Sequence, residues 1–209
     1  MSPYLTLNPP LEQAFYMRPT RTVARDLLGC LLVRLMKGCY LVGRIVEVEA
    51  YLGRRDAACH SSKGRTGRTE VMFGPGGHAY VYFIYGFHNC LNVVTRREGE
   101  AEAVLIRALE PVEGLDAMRR NRKGRPNLCG GPGVLCQALG IDRALNGHPL
   151  WKPPLYVCPG ERTPAARIAA GPRIGVTYAG DAALWPLRFF EKGNPFVSGV
   201  NKRQRPTRL

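Results

Sequence analysis

The sequence predicts an α+β domain built on one mainly antiparallel, curved β-sheet flanked by helices, with an aromatic β-hairpin protruding from it. Three observations carry that expectation. Strand-like runs cluster in the first half of the chain. Helical segments are interspersed without the regular strand–helix alternation of a parallel sheet. The segment 80-YVYFIYGFHNCLNVV-94 reads as two strands around a glycine turn. At 209 residues, 45% of them hydrophobic, the chain has the size of one domain and can bury a core without a disulfide or metal staple. No internal repeat or long linker divides it. Residues 1–200 are therefore read as a single domain and 201-NKRQRPTRL-209 as a basic, disordered tail.

The elements follow in order. A first helix begins with Thr20 or Thr22 as its N-cap and stops before Gly29, with Val23, Leu27 and Leu28 on its apolar side. Two strands come next, 30-CLLVRLM-36 and 39-CYLVGRIVEVEAYL-52. Alternation in the second puts Val42, Val46, Val48 and Ala50 on a core face and Gly43, Ile45, Glu47, Glu49 and Tyr51 on the other. The stretch 54-RRDAACHSSKGRTGRTEVMFGPGG-77 is polar and glycine-rich, a surface loop of a length that compact domains tend to keep for function. A strand at 79–84, a turn near Tyr85–Asn89 and a returning strand at 90–95 form the hairpin. Another strand, 103-AVLIRAL-109, leads into a helix over 113–122 that ends in the basic run 119-RRNRKGR-125. In 130-GGPGVLCQALG-140 proline stands near a helix start and glycine just past its end, as helices prefer. The remainder is rich in proline and glycine, with short strands at 173-RIGVTY-178 and 187-LRFFEK-192.

Charge narrows the partner. Thirty Lys+Arg against sixteen Asp+Glu leave a net charge of +14, and 24 of the cations are arginine, the better fork for phosphate. That balance points to a polyanion, nucleic acid ahead of an anionic membrane. No run approaches the ~20 apolar residues of a membrane span, and no basic amphipathic helix stands out. Seven cysteines, an odd number without a C-x-x-C pair, and no signal-peptide pattern point to reduced thiols in an intracellular compartment.

Chemistry concentrates in few residues. Glu47 and Glu49, two apart on one strand, sit roughly 6–7 Å from each other. Like charges that close, and burial, push a carboxylate pKa upward and make a useful base. A solvated strand face with Glu47 paired to an arginine explains the same pattern. Arg107, inside the apolar run AVLIRAL, demands either Glu47 or Glu49 or a bound phosphate. No H-x-x-x-H, H-E-x-x-H or H-x-E…C-x-x-C spacing supports a metal, and no G-x-S-x-G supports a serine hydrolase, so neither metal nor cofactor is expected. The hairpin aromatics suit stacking on bases, with Tyr80, Tyr82 and Ile84 on one face and Tyr85 at the tip, shaped as a wedge for a base stack. Core packing of Tyr82 and Phe83 is the plainer account of the same residues. Three classes stay open on these grounds: an enzyme acting on nucleic acid through a carboxylate base, a non-catalytic nucleic-acid-binding module, and a metal-dependent nuclease or hydrolase.

Taken together, 43-GRIVEVEAYLG-53, Asp56 and His60 in D-x-x-x-H-S, 72-MFGPGG-77, the hairpin, 104-VLIRALEP-111, 130-GGPGVLCQALGI-141 and 186-PLRFFEKGNPFVS-198 resemble the alkyladenine (3-methyladenine) DNA glycosylase family. This is the monofunctional type without a helix-hairpin-helix. The resemblance spans most of residues 20–200. It implies an enzyme that flips alkylated or deaminated purines out of double-stranded DNA and hydrolyses the N-glycosidic bond, leaving an abasic site, without cofactor or metal. By position, Glu49 matches the base that activates the attacking water, and Arg107 the arginine that helps hold this water or a flanking phosphate. Tyr51, His60 and Tyr82 match the residues around the extruded base, and Asn92 the asparagine that disfavours guanine. Tyr85 matches the side chain that intercalates in the vacated duplex. Thr69, Phe87 and Asn89 depart from the family pattern, which bears on substrate range and flipping efficiency rather than on the reaction. A monomer located with the intracellular DNA is the corresponding expectation.

Overall fold

A computed structural model describes residues 8–84, 86 and 88–199. The chain opens with helices α1 (Gln13–Tyr16) and α2 (Thr20–Leu27). Pro19 occupies the N-cap of α2. Thr20 caps nothing; its hydroxyl turns sideways to Thr95 Oγ1 at 2.7 Å and to Glu102. Val23, Leu27 and Leu28 are buried as the apolar spacing predicts, and Ala24 is buried with them. At Gly29 (φ +93°) the chain reverses so close to Glu161 that a Cβ would lie 2.2 Å from its carbonyl oxygen, so only glycine fits.

Among the described residues nine strands make one antiparallel sheet: β1 (Leu31–Met36), β2 (Cys39–Tyr51), β3 (Ala79–Ile84), β4 (His88–Thr95), β5 (Glu102–Glu113), β6 (Trp151–Lys152), β7 (Leu155–Cys158), β8 (Ile168–Gly171) and β9 (Arg188–Glu191). Its main order is β3-β4-β5-β2-β1-β7-β6. The thirteen-residue β2 outruns β1, which pairs with it over residues 39–44; β9 takes the same edge at Glu47–Glu49 and carries β8 outside it. The sheet curls around this long central strand, giving the α+β domain with a curved antiparallel sheet. The hairpin β3–β4 pairs from Ala79↔Val93 to Ile84↔His88, but Tyr85 and Phe87 at its tip lie outside the described residues, as does the tail 201–209.

One irregularity in β2 decides which side chains share a face. The register against β5 shifts between Ile45 and Val48, so Val46 and Glu47 stand side by side without alternating. Ile45 therefore joins Leu41, Val48 and Ala50 in the main core, whereas Val42 and Val46 pack in separate clusters on the other side. Strict alternation, which grouped Val42 and Val46 with Val48 and placed Ile45 beside the glutamates, fails at this bulge. Glu47 and Glu49 nevertheless keep a common face.

Helices cover one side of the sheet. α2, Met118 of α3 (Leu115–Asn121) and Leu135, Cys136, Ala138 and Leu139 of α4 (Pro132–Leu139) pack onto Ile45, Val48, Leu91, Val93, Val104 and Ile106. Part of the other side is covered by the 54–77 segment, which is a packed layer of short 3₁₀ turns and no mere surface loop. Cys59, Met72 and Phe73 bury themselves against Tyr80, Val94, Ala101 and Ala103. Burying side chains such as Met72 and Phe73 contributes roughly 1.5–3 kcal/mol each, enough to hold a polar segment onto the sheet. Residues 173–178, expected as a strand, form none; Arg173 is drawn into a buried ion pair and the backbone leaves the sheet plane. All seven cysteines are free, six of them buried and Cys39 exposed.

Candidate active site

Beneath the 54–77 layer, between β3–β5 and the start of α4, lies a cleft of about 390 Å³. Tyr51, His60, Tyr82, Asn92 and Arg107, drawn from five separate stretches of sequence, all line it. Tyr82 belongs to β3, Asn92 to β4 and Arg107 to β5, where alternation turns them away from the helical core. Tyr51 ends β2 and His60 opens a 3₁₀ turn of the covering layer. Tyr80 and Ile84 share the cleft face with Tyr82, as the hairpin spacing predicts.

Glu49 is fully buried directly behind this wall. Its Oε1 accepts the Ile174 N–H at 2.7 Å and lies 3.3 Å from Arg107 Nη1; its Oε2 accepts the Tyr51 hydroxyl at 2.9 Å. All three partners line the cleft, so Glu49 meets the cleft through a single shell of polar groups. Burial pushes the Glu49 carboxyl above the ordinary glutamate value; Arg107, the Ile174 N–H and the Tyr51 hydroxyl oppose this, and Glu47 adds to it. A raised carboxylate binds a proton more readily than an exposed one, the property a general base needs.

Arg107 is held from both sides. Its Nε stands 3.3 Å from Glu47 Oε1, and its Nη2 donates to Ser198 Oγ at 3.2 Å. Burial disfavours its charge, but Glu49 and Glu47 outweigh that and keep it protonated. Glu47 is saturated with structural partners: Arg188 Nη1 at 3.0 Å and the Ser198 N–H at 2.7 Å besides Arg107. The arginine in the apolar strand thus finds both glutamates.

The aromatic walls are built on backbone and side-chain bonds. His60 Nδ1 and the Tyr80 hydroxyl are 2.9 Å apart, and the His60 and Tyr82 rings meet at 4.5 Å between centroids with planes at 71°. Burial, with Arg68 nearby, lowers the His60 pKa to about 4, so the ring is neutral near pH 7. Arg68 lies 5.2 Å over the Tyr82 ring. Asn92 Nδ2 donates to the Tyr80 carbonyl at 3.2 Å, which fixes its amide orientation. At the mouth, Tyr178 is 69% exposed and Ile174 42% exposed. Among the described residues no lysine lines the cleft, and no three His, Cys, Asp or Glu side chains gather as a metal site.

The local pattern gave no hint of four participants. Ile174 contributes through its backbone, which no side-chain motif records. Arg188 and Ser198 reach Glu47 from 141 and 151 residues away. Arg173 pairs with Asp56 across 117 residues, and the only trace was a lone arginine in a run otherwise suited to a strand.

Comparison with known proteins gives one consistent result. The family model described as methylpurine-DNA glycosylase (MPG) matches residues 14–195. A relative from Methanoculleus marisnigri is 54% identical over 193 residues, covering 90% of this chain and 98% of its own. One from Myxococcus xanthus is 52% identical over 188 residues, covering 90% and 93%. One from Legionella pneumophila is 48% identical over 188 residues, covering 90% and 97%. Each carries the name "Putative 3-methyladenine DNA glycosylase".

Proposed function

Because the chain belongs to the methylpurine-DNA glycosylase family, and so is a DNA glycosylase, we propose that it flips alkylated or deaminated purines out of duplex DNA and hydrolyses their N-glycosidic bond with a Glu49-activated water. The observation that carries this reading is the position of Glu49: a buried, raised carboxylate whose three polar partners all line one aromatic cleft. Its Oε2 accepts a single bond from Tyr51, which leaves a lone pair for a water. The water attacks C1′, its proton passes to Glu49, and the C1′–N9 bond breaks with its electron pair going to the purine. A 3- or 7-alkylated purine is a cation, so this electron pair neutralises it and no acid is needed on the leaving base.

The aromatic contacts define how a base can lie. A ring between two others needs them about 7 Å apart, twice the ordinary contact distance. His60 and Tyr82 meet edge-on at 4.5 Å, so no base fits between these two rings and it must lie against them from within the cleft. Base flipping costs a few kcal/mol of unstacking, less for a damaged base. Stacking on electron-rich tyrosine rings offsets part of that, and more for a cationic purine. With no lysine in the cleft among the described residues, no Schiff base to the abasic sugar is expected and the strand stays intact. Double-stranded DNA carrying damaged purines is the substrate, engaged by a monomer at the intracellular DNA, with no metal or cofactor required.

The test uses two duplexes, one with a single hypoxanthine and one with methylated purines, incubated in EDTA with wild type and Glu49→Gln. Hot alkali then reveals abasic sites. Cleavage only after alkali, and only with wild type, is the expected result. Release that stops in EDTA overturns the metal-free reaction, and release by Glu49→Gln overturns the role of Glu49. DNA binding without any release leaves a non-catalytic binding module.

A further inference from the structure

Behind the cleft wall sits a second buried ion pair to which the chemistry above assigns nothing. Arg173 and Asp56 are both inaccessible at their side chains. The guanidinium grips the carboxylate with both forks, Nη1 to Oδ2 at 2.5 Å and Nη2 to Oδ1 at 2.8 Å. It also donates to the Ala50 carbonyl at 2.9 Å and the Ala182 carbonyl at 3.0 Å. Asp56 accepts in addition the N–H groups of Leu52 and Ala58, at 3.0 and 3.1 Å. One pair therefore ties together the end of β2, the start of the covering layer, and the 173–182 segment.

We propose that the Arg173–Asp56 pair is the positioning device of the site, setting at once the aromatic wall of the cleft and the hydrogen-bond environment of Glu49. Three contacts converge on this. The Arg173 guanidinium lies 4.7 Å over the Tyr51 ring, backing a residue whose hydroxyl bonds Glu49. The next residue along the chain, Ile174, gives its N–H to Glu49 Oε1 at 2.7 Å, so the backbone that Arg173 anchors is the one that holds the base. On the other side, Asp56 precedes His60 by one turn of the covering layer and fixes that turn by its bonds to Leu52 and Ala58. A buried pair of this kind adds little net stability over an apolar replacement, and a role in fixing geometry is a reason to retain it. Lysine cannot reproduce the arrangement, because the planar fork both chelates the carboxylate and stacks on the ring.

The inference rests on the proposed roles of Glu49 and Tyr51, and the test separates the two. Single-turnover release is measured with saturating enzyme in excess over a methylated-purine duplex, where the rate constant does not depend on the folded fraction. Wild type, Arg173→Lys, Asp56→Asn and Glu49→Gln are followed across pH. The groups facing Glu49 are Arg107 from β5, Cys90 from β4, Tyr51 and Glu47 from β2, the Ile174 N–H, the charge of Arg173 itself, and Arg188 from β9 through Glu47. Arg173→Lys keeps the positive charge that acts on Glu49, so it changes the Ile174 and Tyr51 contacts that depend on the fork. Arg173→Lys is expected to slow release by about 10-fold or more and to move the acid limb to higher pH, since the Ile174 N–H is among the contacts that favour the charged carboxylate.

If Arg173→Lys yields no folded protein, Asp56→Asn carries the rate test, since its Oδ1 still accepts while its Nδ2–H faces donors and breaks the two-pronged grip of Arg173. An unchanged rate constant and unchanged limb, with Glu49→Gln inactive, overturns the positioning role and leaves the proposed reaction standing. Full release by Glu49→Gln overturns the reaction itself, whatever Arg173→Lys does.

Discussion

Glu47 and Glu49 share one guanidinium, each with a carboxylate oxygen 3.3 Å from a nitrogen of Arg107, yet they are employed differently. Glu47 spends its oxygens on Arg107, Arg188 and the Ser198 N–H. Glu49 reaches only groups that line the cleft. Alternation across the buried Val48 puts both on one face, and the bulge at Val46–Glu47 changes only what precedes them, bringing Val46 to that side.

That difference predicts opposite mutant behaviour. Glu47→Ala takes the carboxylate partner from Arg188, one of two from Arg107, and releases the buried Ser198 N–H, and is expected to destabilise the fold by about 3 kcal/mol, read from the urea midpoint. Glu49→Gln is expected to keep the melting temperature, because the fold raises the Glu49 pKa and so disfavours the charge that the substitution removes. Its release rate falls by about 10²–10⁴. A Glu49→Gln variant that unfolds, or a Glu47→Ala variant that does not, contradicts this division of labour.

The pH profile follows from two directions of shift. Glu49 must be ionised to accept a proton, and burial raises its pKa, so the acid limb of release lies above the ordinary glutamate value of 4.5. His60, at about 4, contributes no inflection near its usual 6.5. The fold favours neutral His60, so its contribution to stability is complete above pH 6.5 and is lost as pH falls from there towards 4. An NMR titration of the His60 ring that finds a midpoint near 6.5 would remove this account.

Much of this site could be read in the chain because its determinants are local. Glu47 and Glu49 at i and i+2, an arginine alone in AVLIRAL, and tyrosines at 80 and 82 each need only strand periodicity to be placed. The bulge was invisible, since nothing in GRIVEVEAY marks the position where alternation slips. The strand expected at 173–178 failed for a tertiary reason: Arg173 gains four hydrogen bonds by turning into Asp56 and the two carbonyls, more than a sheet edge offers it. The 54–77 layer looked like solvent-facing loop because its apolar anchors, Cys59, Met72 and Phe73, are spaced irregularly and find their partners on β3–β5.

The resemblance assigns Asn92 a role against guanine, and its placement makes that proposal testable. Its amide is locked by the Tyr80 carbonyl and lines the cleft, so it can neither rotate away nor yield space to an exocyclic amino group. Asn92→Ala is expected to leave release of methylated adenine within about threefold while allowing measurable release of unmodified guanine from a mismatched duplex. Retention of full guanine exclusion by Asn92→Ala assigns the selectivity to another part of the wall. The affinity cost of an unaccommodated polar group in a dry site, about 1–3 kcal/mol, sets the scale of the change.

Tyr85, at the tip of β3–β4, provides the last prediction. Tyr85 itself lies outside the described residues; beside it Phe83 is 46% exposed and Gly86 adopts φ +72°. A ring there can occupy the gap left by a flipped nucleotide, and base–aromatic stacking contributes about 1–3 kcal/mol. Tyr85→Ser should therefore weaken binding to a lesion duplex by roughly 5- to 150-fold. It removes no cation, so the slope of log affinity against log salt should not change, and binding to undamaged DNA should fall far less. Equal losses on damaged and undamaged duplexes, or a shallower salt slope, would place Tyr85 on the phosphate backbone instead of in the stack.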